Sequence, residues 1–232
     1  MSMQWYLGFG ASEALYKLNQ EYRGSLASDS EKVQAEKLYS LLSEFADECL
    51  DQYFLSPVER IQLNGVAKKI VVGGVSAIKK TIHLTLKQVI KKLSAADRQQ
   101  LADYINGMML KLRESARYPT YVAVPISDEL RKRLHDPVVN GRDNPEAVAD
   151  GYTAALCELI DVAVGAYMEQ PIRMLKLGMV MNKVASVASD TIKGAAHTVV
   201  RKVLHSMNGK EMLGFFEFTE SILYQPQQAI AA

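Results

Sequence analysis

Cysteine is scarce in this 232-residue chain, which has only Cys49 and Cys157. Both lie in apolar, helical-looking runs with no CxxC pair and no Cys/His spacing. A disulfide framework and a zinc site are therefore excluded, and two reduced core thiols are expected. Glycine and proline are sparse as well, 14 and 7 residues, too few for a linker-rich or many-turned β protein. Neither sign of charge dominates. The 27 Lys+Arg and 26 Asp+Glu leave +1, which gives no general pull toward nucleic acid. Long apolar runs are missing too: the longest uncharged stretches, 1–12 and 221–232, fall short of the roughly 20 residues a membrane-spanning helix needs. Met1–Phe9 has no basic segment and no long apolar segment, so a signal peptide is not expected and the location predicted is cytoplasmic. What remains is ordinary globular composition, 48% hydrophobic and 23% charged, sufficient for a buried core.

The strongest feature present is internal repetition. Sliding the sequence by 114 residues aligns 29–93 with 143–207 without a gap, and 14 of the 65 positions are identical. Chance gives roughly four. The identities include Leu42/Leu156, Glu44/Glu158, Asp47/Asp161, Tyr53/Tyr167, Pro57/Pro171, Ile78/Ile192, Lys79/Lys193 and His83/His197. With one extra residue the match extends upstream, where Ser12-Glu13-x-Leu15 meets Ser127-Asp128-x-Leu130. This predicts two tandem units, 1–117 and 118–232, forming one compact body.

Each unit reads as helices. Ser12 and Ser127 cap a first; Ser28–Glu31 and Asp143–Glu146 open a second that reaches about 54 and 168. Ser56-Pro57 and Gln170-Pro171 start a third, running to Leu93 and Met207, because proline lacks the N–H an interior helical position needs. Ser94–Asp97 caps a fourth, with 210–224 as its counterpart. Leu38, Leu41, Leu42, Phe45, Cys49 and Tyr53 share one face, and Val71, Val75, Ile78, Ile82, Leu86, Val89 and Leu93 form a bundle seam. Gly73-Gly74 is the one weak point of that helix, which is expected to continue through it, with a kink or a close helix approach as the alternative there. Only Trp5–Phe9 and Tyr118–Ile126 have extended character. The fold class expected is all-α, a duplicated unit of about 115 residues packed as a pseudo-twofold helical bundle.

Charge is segregated within each unit. Residues 28–54 hold seven acids and two lysines, whereas 60–93 hold eight Lys/Arg and no acid; 143–169 and 171–207 repeat the contrast. An antiparallel hairpin turning at the proline would set Asp47 near Lys69, Glu36 near Lys79 and Asp29 near His83. The second unit would pair Asp161/Lys183, Asp150/Lys193 and Asp143/His197 likewise. The basic amphipathic helices 58–93 and 171–207 also carry Lys79, His83, Lys87 and Lys193, His197, Arg201 at four-residue steps on one face. Such stripes can bind anions, an anionic lipid surface or a partner.

No HExxH, GxSxG, Walker loop or dinucleotide fingerprint occurs. The nearest approach to catalytic chemistry is Glu44, Asp47, Glu158 and Asp161, which would converge only if the two units face each other. No cofactor or metal is expected, and tyrosines at core spacing argue against nucleic acid. The ten methionines serve as plastic core filler or as an adaptable surface for a partner or acyl chain. The function expected is a non-enzymatic interaction protein acting through self-association or a protein partner. Peripheral membrane or anionic-ligand binding through the basic helices is the first alternative, and a carboxylate enzyme or metal site the second.

Overall fold

A computed structural model describes residues 4–112, 120–224 and 229–231. β1 (Trp5–Gly10) leads into α1 (Glu13–Ser28), α2 (Glu31–Leu50), a π-helical stretch (Asp51–Leu55), α3 (Ser56–Ile61), the long α4 (Gly65–Ile90), α5 (Ala95–Met108) and β2 (Met109–Leu112). β3 (Thr120–Ile126) then precedes α6 (Asp128–Asn140), α7 (Pro145–Val164), a second π-helical stretch (Gly165–Glu169), α8 (Gln170–Met174), α9 (Met179–Ser206), α10 (Gly209–Ser221) and β4 (Leu223–Tyr224), with β5 (Ala229–Ala231) last. The chain is mostly helical, as the patterning predicts. No helix of the described residues is long and apolar enough to cross a membrane. The expected boundary between Arg117 and Tyr118 lies outside the described residues.

Local chemistry sets most helix starts. The Ser12, Ser127 and Asn144 side chains accept the N–H groups of Leu15, Leu130 and Ala147. Ser94 with Asp97 and Asn208 with Glu211 form complete capping boxes, satisfying two orphan donors each. Ser30 precedes α2 without a side-chain cap bond.

The all-α expectation omits one layer. Among the described residues five strands form an antiparallel sheet in the order β4-β1-β3-β2-β5. β1 and β3 occupy the two segments with extended character, and Gly8 pairs with Ala123 at mid-strand. β2, β4 and β5 have four, two and three residues, too few to display the period-two alternation by which a strand is recognised.

The third helix expected from Pro57 is two helices. The chain stays helical from α2 through the π-helical stretch into α3, and the wider π turn accommodates the proline that lacks a donor. The break comes later, at Gln62, whose φ of 58° is left-handed. Asn64 then caps α4 by accepting from Val66 N and Ala67 N at 3.1 and 3.0 Å. In the second half Leu175–Gly178 separates α8 from α9 in the same place. Beyond the turns α4 and α9 pack on each other, and Gly74 lies against the Val199 side chain with no room for a Cβ. Leu15, Leu38, Leu41, Ile78, Leu130, Tyr152 and Phe216 are fully buried in the core.

Candidate functional site

The apolar faces of α2, α4, α7 and α9 do not close on one another completely. Between them lies a half-open apolar cavity of about 260 Å³, walled by residues such as Phe45, Ile82, Ile160, Val164, Met168 and Val203. α10 contributes Phe215 and Phe218, and β1 contributes Leu7. Among the described residues its wall carries no charged side chain; the polar groups are Cys49, Tyr53, Thr85, Tyr167 and Thr219. Natural cores hold few voids larger than a water molecule, so this space sets the molecule apart from an ordinary bundle.

Two tyrosines, 114 residues apart, meet at this chamber. Tyr53 and Tyr167 sit in the two π-helical stretches, and their hydroxyl oxygens lie 3.1 Å apart. Their rings are fixed edge-on by neighbours: Phe9 packs on Tyr53 at 5.6 Å and Phe45 on Tyr167 at 5.2 Å. Tyr104 of α5 donates to the Ala166 carbonyl at 2.7 Å, which satisfies a backbone acceptor in the second π stretch. Burial pushes both phenols and the Cys49 thiol well above their ordinary pKa values, so the chamber presents neutral groups at physiological pH.

The basic stripes run along α4 and α9 against the acidic helices. Lys79 Nζ lies 2.7 Å from Asp47 Oδ2, and His83 Nε2 lies 3.1 Å from Asp47 Oδ1. The other ring nitrogen of His83 is 3.3 Å from the Tyr39 hydroxyl, and Lys87 stands over the Tyr39 ring at 5.7 Å. On α9, Lys193 pairs with Glu169 at 2.6 Å, and His197 Nε2 lies 3.0 Å from both Asp161 Oδ1 and the Cys157 carbonyl. Burial pushes the Cys157 thiol up against the opposing charge of Arg201 beside it. Burial alone would also raise the Asp47 carboxyl, but hydrogen bonds and charge from Lys79 and His83 hold it below its usual value.

These pairs differ in register from those expected. Asp47 meets Lys79 and His83 in place of Lys69, Asp29 meets Lys37, and Glu169 rather than Asp150 meets Lys193. The reason is the position of the turn: the chain reverses at Gln62–Asn64, not at Pro57, which shifts every cross-hairpin pairing toward the C-terminal part of α4. The four acids are likewise distributed. Glu158 pairs with Arg133, Asp47 and Asp161 face their own histidines, and Glu44 makes no ion pair among the described residues. No group of three or more His, Cys, Asp or Glu is placed to hold a metal ion among those residues.

The chamber has no counterpart in the sequence reading, because periodicity identifies inward faces without measuring the space between them. The nearest signal is the Tyr53/Tyr167 identity, where the two halves keep a hydroxyl at a position otherwise suited to phenylalanine. Comparison with known proteins finds no matching family model, no similar curated protein and no similar solved structure.

Proposed function

We propose that this protein acts by binding rather than by catalysis, and that two copies of one helical module enclose a chamber for a hydrocarbon-rich, water-insoluble molecule. The cavity carries this reading. Its wall is almost wholly apolar and lacks packing partners across the space. Apolar cavities of this kind take up apolar ligands, and an occupant would supply the missing contacts. The two-copy reading draws support from positions: the second π stretch, α7, α8 and α9 each begin 114 residues after their first-half counterparts. Equivalent strands β1 and β3 also pair with each other, flanked by β4 and β2.

Extraction of the purified protein into organic solvent, followed by mass spectrometry, is expected to yield a stoichiometric apolar compound. If none is found, delipidated protein should gain thermal stability from an added alkane such as tridecane. Absence of both would end the reading.

A second reading, self-association or a protein partner, is favoured by one observation. Val66, Val72, Leu84, Met179, Val180 and Val187 are exposed on α4 and α9, with Tyr16 and Val139 exposed elsewhere, whereas scattered single hydrophobics need no explanation. Replacing Val180 and Val187 with aspartate should then lower the sedimenting mass if these helices associate. Binding of anionic lipid by Lys79, His83, Lys87, Lys193, His197 and Arg201 draws less support, since most of these groups already have partners within the chain.

A further inference from the structure

We infer that the molecule held in the chamber carries a neutral hydrogen-bond acceptor oxygen, such as an ester or ketone carbonyl, and that the Tyr53/Tyr167 pair donates to it. This rests on the chamber being a ligand site and adds what the ligand must be.

Two phenols own two hydroxyl hydrogens, and the 3.1 Å contact between their oxygens uses one. Whichever tyrosine donates, the hydroxyl that accepts keeps its own hydrogen. The other polar groups of the wall do not compete for the ligand in the same way. Thr85 donates to the Thr81 carbonyl at 2.9 Å, and Thr219 donates to the Phe215 carbonyl at 3.1 Å while accepting from Tyr152 at 2.6 Å. Only the tyrosine pair therefore has a strong donor to spare among the described wall residues. A buried donor left unpaired is costly. Water is a poorer remedy, because an ordered water needs two to four polar partners and the threonine hydroxyls of this wall already donate to their own helices. A ligand oxygen needs only the one hydrogen.

The charge of the ligand follows from the same wall. Among the described residues no lysine, arginine or histidine lines the chamber, so a carboxylate or phosphate would be desolvated without a counter-charge. The acceptor must be neutral, on a body that is otherwise alkyl or isoprenoid. The symmetry of the pair has a further consequence: either hydroxyl alone can still donate, so the two are redundant.

Calorimetric titration of delipidated protein with tridecane, methyl dodecanoate and dodecanoate ion tests this. The ester is expected to bind roughly two- to tenfold more tightly than the alkane, and the ion more weakly than the ester. Tyr53→Phe and Tyr167→Phe should each keep the ester-to-alkane ratio, and the double variant should lose it. The ratio is read within each variant, so a general change in the chamber cancels. In the unmutated protein, the carbonyl stretch of bound methyl dodecanoate should lie at lower frequency than in dry alkane. An unshifted stretch, equal ester and alkane affinities, a preference for the ion, or a ratio preserved in the double variant overturns the inference while leaving the chamber a binding site. Failure of all three probes to bind removes the chamber reading itself.

Discussion

Gly73 and Gly74 are adjacent in sequence and opposite in consequence. Both lie inside α4, where glycine forfeits helix stability relative to alanine. A Cβ on Gly73 would meet open space, whereas one on Gly74 would run into Val199 on α9. Gly73→Ala is therefore expected to stabilise the protein by about 0.5–1 kcal/mol. Gly74→Ala should destabilise it by about 1–3 kcal/mol through overpacking. Urea midpoints of the two variants separate these effects, and equal midpoints would contradict the close approach of the helices. The glycine pair was readable in the sequence as a kink or a contact; which of the two, and which glycine, depends on a neighbour more than a hundred residues away. The same holds for Asp47. Its placement opposite a basic helix follows from charge segregation, but its partner depends on where the chain turns.

Between elements, the two halves hold each other through buried carboxylates at the starts of α5 and α10. Asp97 accepts from its own cap, Ser94, and from the Lys176 N–H in the segment before α9, at 3.1 Å. Glu211 accepts from its own cap, Asn208, and from the Asn64 N–H before α4, at 2.7 Å. Each half thus ties down the turn that starts the other half's long helix. Side-chain and backbone donors at Asp97 outweigh its burial. For Glu211, burial alone would raise the carboxyl, but the Asn208 and Asn64 donors prevail. Both end below their ordinary values. Depressed folded-state values stabilise above the unfolded carboxylate range, near pH 4, and that stability is lost as pH falls through the folded values. Glu211→Gln should then destabilise by about 1–3 kcal/mol at pH 7, the scale of hydrogen bonds to a charged group, with the deficit shrinking toward pH 3. Urea titrations at the two pH values measure it; a deficit independent of pH would contradict a role for the charge. Ser94 and Asp97 were legible as a cap from spacing alone, whereas Asn208 was not. The second task of the two carboxylates was not legible either, since a capping box predicts bonds within one turn and says nothing of a strand of chain docking on the same oxygens. The π-helical stretches and the break at Gln62 were equally hidden, because each covers too few residues to alter the apolar period of the longer segments around it.

Across the whole molecule, apolar pattern and packed volume separate. Leu42, Phe45, Ile78, Ile82, Val89 and their second-half counterparts were recognisable as an inward face, and the structure buries or half-buries them. Four such faces brought together need side chains of sufficient bulk to fill the centre, and here α7 supplies Ala163 where α2 has Cys49. A space results that no single segment encodes. This has an energetic test that needs no knowledge of the natural occupant. Ala163→Leu adds three carbons on a helix face that lines the chamber, with little change in helix propensity. If the space is open in the ligand-free protein, each buried carbon gains about 0.8 kcal/mol, so the variant should be up to about 2 kcal/mol more stable. It should also bind tridecane more weakly, because protein and ligand then compete for one volume. Were the helices instead to collapse when empty, the larger side chain would overpack the core and destabilise it by about 1–3 kcal/mol. Thermal unfolding of delipidated wild type and variant, with and without tridecane, distinguishes the two by the sign of a single shift.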